Sequence, residues 1–367
     1  MFVRTDDKIT ATQAAIFLNN TLLGAGILTL PRSVSKEVKT PDGWISVLLG
    51  GAIVMLAVFL MVKISQQFPG KTVFQYASKL TGRFLGGVLS LLMIGYFIII
   101  AGFEIRSLAE VTLFFLLEGT PIWAVILPFL WLGTYLVYGG INSIARVFTI
   151  VFPISIMILL ISFILSLRMF DIDNLRPVLG NGLAPVFSGL KSTVLVFTGC
   201  EVTMTLVAFM REPKQAVKAI LGGLSVPLIL YLLTVVIVIG GLSINSPISS
   251  TWPTIDLMRS FEVPGFFFER MEFPFMVIWL MQMFCNFSSF FFQASLAVSQ
   301  TFKVKIHPVI YAMVPLLFIS AMTPKTLSDL FTLGDTIGKM GVVLFFLVPV
   351  LLSVVWLIRV KGLKQHV

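Results

Sequence analysis

Residues 21–31 read TLLGAGILTLP and lie within an apolar segment that is long enough to span a membrane. Glycine weakens a helix by roughly 1 kcal/mol relative to alanine, so the Gly-Ala-Gly triplet predicts that the helix unwinds there. Unwound backbone at membrane depth is tolerated only where it is buried in protein or lines a cavity. The stretch therefore predicts a membrane protein with a buried site at this break.

A second break is predicted at residues 197–201, FTGCE, about halfway along the chain. Paired interruptions in the two halves of a membrane protein are typical of a binding site at the interface of inverted repeats. The alternative is that the glycines only allow helices to pack closely, as small residues commonly do in membranes. The second break, together with Pro31 after the first, favours the binding site.

The composition indicates an all-α integral membrane protein. The chain is 57% hydrophobic and 12% charged, with a mean hydropathy of +1.00, whereas soluble domains carry about 25% charged residues. Apolar runs of about 20 residues can cross a bilayer as helices. They predict ten spans, near 10–35, 43–67, 84–117, 121–140, 142–168, 186–210, 214–240, 270–302, 307–323 and 328–358. The longest connection, 241–269, contains three prolines and predicts an ordered external flap.

The net charge of +9 indicates topology rather than a nucleic-acid partner. With an internal N-terminus, 15 of the 26 Lys and Arg residues fall on internal segments, and 11 fall elsewhere. Membrane proteins keep an excess of Lys and Arg on the cytoplasmic side. The distribution therefore predicts internal N- and C-termini.

Catalytic and metal-binding patterns are absent from the sequence. Its two cysteines, Cys200 and Cys285, lie in apolar spans, and its two histidines are His307 and His366. Metal sites need clustered Cys, His or carboxylate ligands. We expect no enzyme activity and no cofactor.

The first break has the more specific chemistry. A helix that restarts near Gly26 presents unpaired backbone N–H groups and a positive dipole end, and glycines let a ligand approach that backbone closely. A carboxylate could bind there without an arginine. The predicted contacts at this break are Thr21, Gly24, Ala25, Gly26 and Ile27.

The opening residues 9–13, ITATQ, and residues 24–31, GAGILTLP, resemble the B-subunit family of bacterial endospore germinant receptors, or spore germination permeases. This family belongs to the amino acid–polyamine–organocation transporter superfamily. The resemblance implies a LeuT-like fold with two inverted five-helix repeats, approximately 10–168 and 186–358, in one transmembrane domain covering 1–367. It also implies discontinuous helices 1 and 6, a nutrient site at the midplane, the spore inner membrane as location, and A- and C-type subunits as partners.

Further site residues follow from the second break and from polar positions within spans. The candidates for ligand contact are Tyr96, Ile100, Phe197, Thr198, Gly199, Cys200, Asn286 and Ser289, and those for proton, ion or coupling roles are Glu104 and Glu201. Charges at membrane depth are costly and indicate functional sites. The alternatives are that Glu104 and Arg106 lie solvated near the external mouth, that Glu201 only caps free N–H groups, and that Ser289 bonds its own helix.

These features predict a subunit that senses a nutrient and signals through partner subunits. The apolar surroundings favour a small apolar amino acid such as alanine, leucine or proline, with a sugar as the alternative ligand. An autonomous proton-coupled amino-acid transporter would have the same site architecture and is the alternative function. A structural membrane scaffold would leave both breaks unexplained.

Overall fold

Helices make up nearly all of the protein. The structure is a computed structural model that describes residues 7–260 and 272–364, with side chains up to residue 359. The helices of these residues are α1 (Ala11–Leu22), α2 (Gly26–Val38), α3 (Gly43–Gln66), α4 (Val73–Thr81), α5 (Arg83–Phe115), α6 (Ile122–Tyr138), α7 (Gly140–Ser166), α8 (Ala184–Val196), α9 (Thr203–Phe209), α10 (Ala216–Leu242), α11 (Asn245–Ser249), α12 (Pro253–Arg259), α13 (Glu272–Phe302), α14 (Ile306–Met322), α15 (Leu327–Val342) and α16 (Val348–Lys364).

Ten apolar helical segments coincide with the ten predicted spans. Six in the described part of the chain are long and apolar enough to cross a membrane, two more are bent helix pairs, and α6 and α14 are apolar helices of 17 residues. The ends agree within three residues, except that the last segment extends to Lys364. The predicted flap contains α11 and α12, while residues 261–271 lie outside the described residues. The sequence analysis did not predict α4, whose nine residues are too few for a span.

The first and sixth segments are the broken ones. Helices α1 and α2 meet at an angle of 55° across a gap that starts after Leu22 and ends at Gly26. Helix α8 and the segment Cys200–Phe209 meet at 50°. The structure thus confirms discontinuous helices 1 and 6.

Helix α1 begins with a capping box that explains the ITATQ motif. The Thr10 hydroxyl accepts a hydrogen bond from the Gln13 N–H at 3.2 Å, and the Gln13 Oε1 accepts one from the Thr10 N–H at 3.0 Å. Such a reciprocal pair satisfies two of the N–H groups that a helix start leaves free. The motif therefore fixes where α1 begins.

At the other end of α1, side chains from distant helices satisfy the carbonyl groups that the break sets free. The three bonds run from Gln282 Nε2 to Asn20 O at 3.0 Å, from Asn286 Nδ2 to Thr21 O at 2.9 Å, and from Tyr231 Oη to Leu22 O at 2.5 Å. The last four carbonyls of a helix have no intrahelical donor, and no water reaches them at membrane depth. The break is stable because α10 and α13 supply its donors.

The second break depends on Gly199. Its φ of +113° lies in the region that favours glycine. The Glu201 carboxylate accepts a hydrogen bond from the Gly199 N–H at 2.9 Å. A β-carbon at residue 199 would lie 3.2 Å from the Thr21 carbonyl oxygen. The two breaks therefore touch each other.

Backbone hydrogen bonds also join the start of the first segment to the end of the sixth. The Ile9 N–H donates to Phe209 O at 2.8 Å, and the Arg211 N–H donates to Ile9 O at 3.0 Å. Lys8 Nζ donates to Ala208 O at 2.9 Å. These bonds close the protein on the side of the N-terminus.

The neighbouring residues Gly86 and Gly87 provide a test of the α4–α5 packing. A β-carbon at Gly86 would press on the backbone of Ser78, with its nitrogen only 2.6 Å away, whereas a β-carbon at Gly87 would have open space around it. We expect Gly86→Ala to destabilise the protein by about 1–3 kcal/mol through overpacking. Gly87→Ala should stabilise it by about 0.4–1 kcal/mol.

Thermal unfolding of both variants in detergent would measure this difference. The buried thiols of Cys200 and Cys285 become reactive toward a fluorescent maleimide only as the protein opens. Equal stability of the two alanine variants would contradict the close contact between Gly86 and α4.

A second prediction concerns the donors to the broken end of α1. Gln282→Leu removes the donor to Asn20 O and should destabilise the protein by about 0.5–2 kcal/mol, since a buried carbonyl loses its partner. Gln293 serves as its matched control on the same helix, because it is fully buried and neither of its amide atoms has a hydrogen bond. Gln293→Leu should be neutral or stabilising. The same thiol-labelling assay ranks the two variants, and the reverse order would refute the role assigned to Gln282.

Candidate functional site

A cavity of about 360 Å³ lies at the break between α1 and α2. Its walls come from α2, α5, α8, α13 and α15. It runs from the break toward the C-terminal ends of α2 and α5 and the start of α15, which is the side away from the N-terminus. The hydrogen bonds around Ile9 close the opposite side. The lining residues therefore extend from the break toward the side away from the N-terminus.

Seven of the fifteen residues predicted for the site line this cavity. They are Gly24, Ala25, Gly26, Ile100, Glu104, Thr198 and Asn286. The other eight are buried or partly buried behind its walls: Thr21, Ile27, Tyr96, Phe197, Gly199, Cys200, Glu201 and Ser289. Ile27 instead lines a second cavity of about 20 Å³ beside α7 and α13.

The start of α2 presents backbone donors to the cavity. No side chain caps this helix end, whose N-cap residue is Ala25. The first N–H groups of a helix have no intrahelical acceptor and carry the positive end of the dipole. Residues 24–26 line the cavity, so this end can receive an anionic group, as the sequence predicts.

The two glycines of the triplet have different surroundings. A β-carbon at Gly24 would meet the Asn286 side chain and lie 3.3 Å from Glu104 Oε2. One at Gly26 would instead meet Val196 and lie 2.9 Å from the Tyr231 hydroxyl. Gly26 thus permits close helix packing, whereas Gly24 lies between polar side chains of the cavity wall.

Glu104 lies at the inner end of the cavity. Its side chain is buried, with 6% exposure, and its Oε2 has no hydrogen-bond partner among the described residues. The alternative placement of Glu104 and Arg106 at a solvated mouth is not observed, because Arg106 is buried as well. Arg106 pairs with Glu110 at 2.8 Å and donates to the Ala321 carbonyl. Glu104 therefore faces the cavity without this arginine.

Besides Glu104, two residues that line the cavity have a polar side-chain atom without a partner in the described part of the chain. These atoms are the Asn286 Oδ1 and the Trp279 Nε1. The Asn286 Nδ2 is already used by the Thr21 carbonyl, so the side-chain orientation is fixed. The residues that line the cavity thus include a buried acceptor and a buried donor without a partner among the described residues.

Glu201 has a different role from Glu104. It accepts hydrogen bonds from the Tyr96 hydroxyl at 2.7 Å and from the Gly199 N–H at 2.9 Å. Glu201 thus binds an N–H group inside the break, whereas no side chain of the described residues caps the segment that restarts at Cys200. Ser289 shares a hydrogen bond of 2.7 Å with Thr21, so both residues hold α1 against α13.

The sequence analysis missed several cavity residues. Arg32 and Lys36 lie one turn apart on α2 and line the outer part, where the Arg32 guanidinium lies 5.1 Å from the centre of the Phe331 ring. Their spacing of four residues on an amphipathic helix was the available signal. Trp279 also lines the cavity and gave no signal, because aromatic residues are common in apolar spans.

No three His, Cys, Asp or Glu side chains of the described residues come together in a way that could hold a metal ion.

Comparison with solved structures identifies the fold. The crystal structure of MhsT in complex with L-phenylalanine aligns with a TM-score of 0.66 and covers 95% of this chain and 98% of that one, at 12% identity. Mhp1, a nucleobase-cation-symport-1 family transporter, aligns with a TM-score of 0.61 over 94% of this chain and 79% of that one, also at 12% identity. The protein has the LeuT-like transporter fold.

Comparison with known sequences identifies the family. The profile described as spore germination protein matches residues 8–330. Spore germination protein YndE of Bacillus subtilis strain 168 is 46% identical over 357 residues, 97% of this chain and 98% of that protein. Spore germination protein A2 of the same organism is 36% identical over 356 residues, again 97% and 98%. The chain is therefore a non-enzymatic, multi-pass membrane protein that belongs to the spore germination permease family.

Proposed function

We propose that this protein is the nutrient-sensing, permease-like subunit of a spore germinant receptor, and that it binds an amino acid at the break between α1 and α2. The observation that carries the proposal is the N-terminus of α2, which no side chain of the described residues caps and which lies at the inner end of the cavity. The carboxylate of the nutrient would bind to the N–H groups of Ala25 and Gly26, because the Gly24 N–H already donates to Leu22 O at 2.9 Å.

Binding would signal by favouring one arrangement of the helices. A ligand shifts such a balance only by its different affinities for the two states. The cavity joins segments from both breaks, since Gly24 belongs to the first and Thr198 to the second. A nutrient bound between them would fix the positions of α2 and α8 relative to each other. A- and C-type subunits would transmit this conformational change. The protein would lie in the spore inner membrane with both termini inside.

The proposed site lies where two inverted repeats would meet. We place these repeats at approximately 10–168 and 186–358. Their support is that the first segment of each is the broken one. In transporters built from inverted repeats, discontinuous helices at corresponding positions form the substrate site. The contact between Gly199 and Thr21 is consistent with this arrangement.

The second candidate function is a proton-coupled amino-acid transporter. Two buried carboxyl groups near the breaks, those of Glu104 and Glu201, favour it, because intramembrane carboxyl groups form proton relays in transporters. Membership of the spore germination permease family supports the sensing function, whereas the carboxyl groups of Glu104 and Glu201 support the transport function.

Narrowing the cavity provides the first test of the site. We expect purified full-length protein in nanodiscs to bind at least one of radiolabelled L-alanine, L-leucine and L-proline saturably. Gly24→Ala, which adds a methyl group between Asn286 and Glu104, and Thr198→Leu, which fills the cavity, should each weaken binding at least about tenfold, because a misplaced polar contact costs about 1.4 kcal/mol or more.

Gly95→Ala is the control, because a β-carbon there would have open space. Thiol labelling of the buried cysteines establishes that each variant is folded. Unchanged binding by folded Gly24→Ala and Thr198→Leu would move the site elsewhere and leave the first break with a packing role.

Uptake by the chain alone separates the two functions. We expect proteoliposomes containing only this protein to bind the amino acid without accumulating it under an inward proton gradient. A receptor subunit signals through its partner subunits and does not need to transport its ligand across the membrane. Empty liposomes give the background. Accumulation that a protonophore abolishes would support the transporter instead.

A further inference from the structure

The inner end of the cavity has a carboxyl group without a cation. Burying a charged group is costly unless it is paired and hydrogen-bonded, and the Glu104 side chain is only 6% exposed. Arg106 pairs with Glu110 and Arg176 pairs with Asp173, so neither arginine pairs with Glu104. A buried carboxyl group without a cation is kept neutral by a proton, and a cationic ligand would take the place of that proton.

Neighbouring cations of the chain are directed elsewhere. Arg106 follows Glu104 by two residues on α5, so the two side chains leave opposite faces of the helix. Its guanidinium is held by Glu110 and by the Ala321 carbonyl. Arg32 and Lys36 lie on the outer part of α2, away from the break.

A second acceptor lies beside this carboxyl group. A β-carbon at Gly24 would touch both the Asn286 amide and Glu104 Oε2, so the two side chains approach the same point of the backbone. The Asn286 Nδ2 is bound to Thr21 O, which leaves Oδ1 as the group without a partner. Two buried acceptors thus lie close to Gly24, directly before the N-terminus of α2.

Donors and acceptors therefore lie next to each other at Gly24. An α-amino acid carries its carboxylate and its ammonium on one carbon, so it needs adjacent donor and acceptor groups. A sugar hydroxyl has no charge to offer Glu104. A bare cation would leave the N–H groups of Ala25 and Gly26 and the Trp279 Nε1 without acceptors.

We infer that Glu104 and the Asn286 Oδ1 bind the protonated amine of the ligand, which restricts the site to α-amino acids with a free ammonium group. This inference rests on the proposed function and names the ligand class of the same cavity. It changes the role expected of Glu104 from coupling to recognition. Glu201 does not share that role, because Tyr96 and Gly199 occupy its carboxylate.

Paired ligands test the inference without any change to the protein. Full-length protein in nanodiscs is titrated with L-alanine, L-leucine and L-proline and with the matching acids that lack the amine, which are propionate, 4-methylpentanoate and cyclopentanecarboxylate. We expect the affinity of the best-bound amino acid to exceed that of the matching amine-free acid by roughly 30-fold or more. The amine-free acid lacks the ammonium group that would form a buried charge pair with Glu104.

Variants of Glu104 supply the second measurement. Glu104→Gln keeps the size of the side chain and removes its charge. It should weaken the binding of the amino acid roughly 30-fold or more and leave the affinity for the amine-free acid unchanged. Glu104→Asp retains the charge and should restore part of the preference for the amine. Glu37→Gln is the matched control, because Glu37 is exposed on α2 and does not line the cavity.

Each outcome distinguishes the inference from the proposed function. Equal binding of an amino acid and its amine-free partner, or wild-type affinity in Glu104→Gln, would overturn the ammonium site while saturable binding still supported the cavity. Saturable binding of a sugar such as D-glucose in place of every amino acid, or of no probe in this set, would overturn both proposals.

Discussion

The fold depends on the requirement that every backbone polar group at membrane depth has a partner within the protein. A continuous helix meets this requirement alone, but α1 stops at Leu22 in the middle of the protein and exposes its last carbonyls. Gln282, Asn286 and Tyr231 supply the missing donors from α13 and α10. The break, the position of α13 and the shape of the cavity are consequences of this single arrangement. On the other side of the break, the Gly24 N–H donates to Leu22 O, while Ala25 and Gly26 at the start of α2 line the cavity and present the donors that no side chain of the described residues caps.

Features that depend on local chemistry are predictable from the sequence. Glycine lowers helix stability, and both predicted breaks contain glycine. Glycine is not sufficient by itself, because the pairs Gly50–Gly51 and Gly222–Gly223 lie inside the continuous helices α3 and α10. The hydropathy of the spans likewise indicates the number and approximate ends of the segments. The partners of the break are not predictable, because Gln282 and Asn20 are separated by 262 residues and only the fold brings their helices together. The different surroundings of Gly24 and Gly26 depend in the same way on which neighbour each Cα faces.

The two glutamates show how similar sequence signals lead to different roles. Both lie in apolar spans, where a carboxyl group indicates a functional or coupling role. In the structure, Glu201 is fully occupied by Tyr96 and Gly199 and stabilises the second break, whereas Glu104 presents a free oxygen at the cavity. The distinction arises from the Tyr96 hydroxyl, which lies two helical turns before Glu104 on α5 but points to the other carboxylate. A single tyrosine thus separates the structural carboxyl group from the available one.

The backbone bonds between Ile9 and the end of α9 have a mechanical consequence. They connect the inner arms of the two broken segments, so α1 and α9 cannot separate on the N-terminal side until the Ile9–Phe209 and Arg211–Ile9 bonds are exchanged for water. Each net exchange costs only about 0.5–1.5 kcal/mol, which is small enough to be reversible and large enough to hold the arms together at rest. The N-terminal segment therefore holds α1 and α9 together, and breaking its bonds sets a minimum energy for separating these helices on the side of the N-terminus.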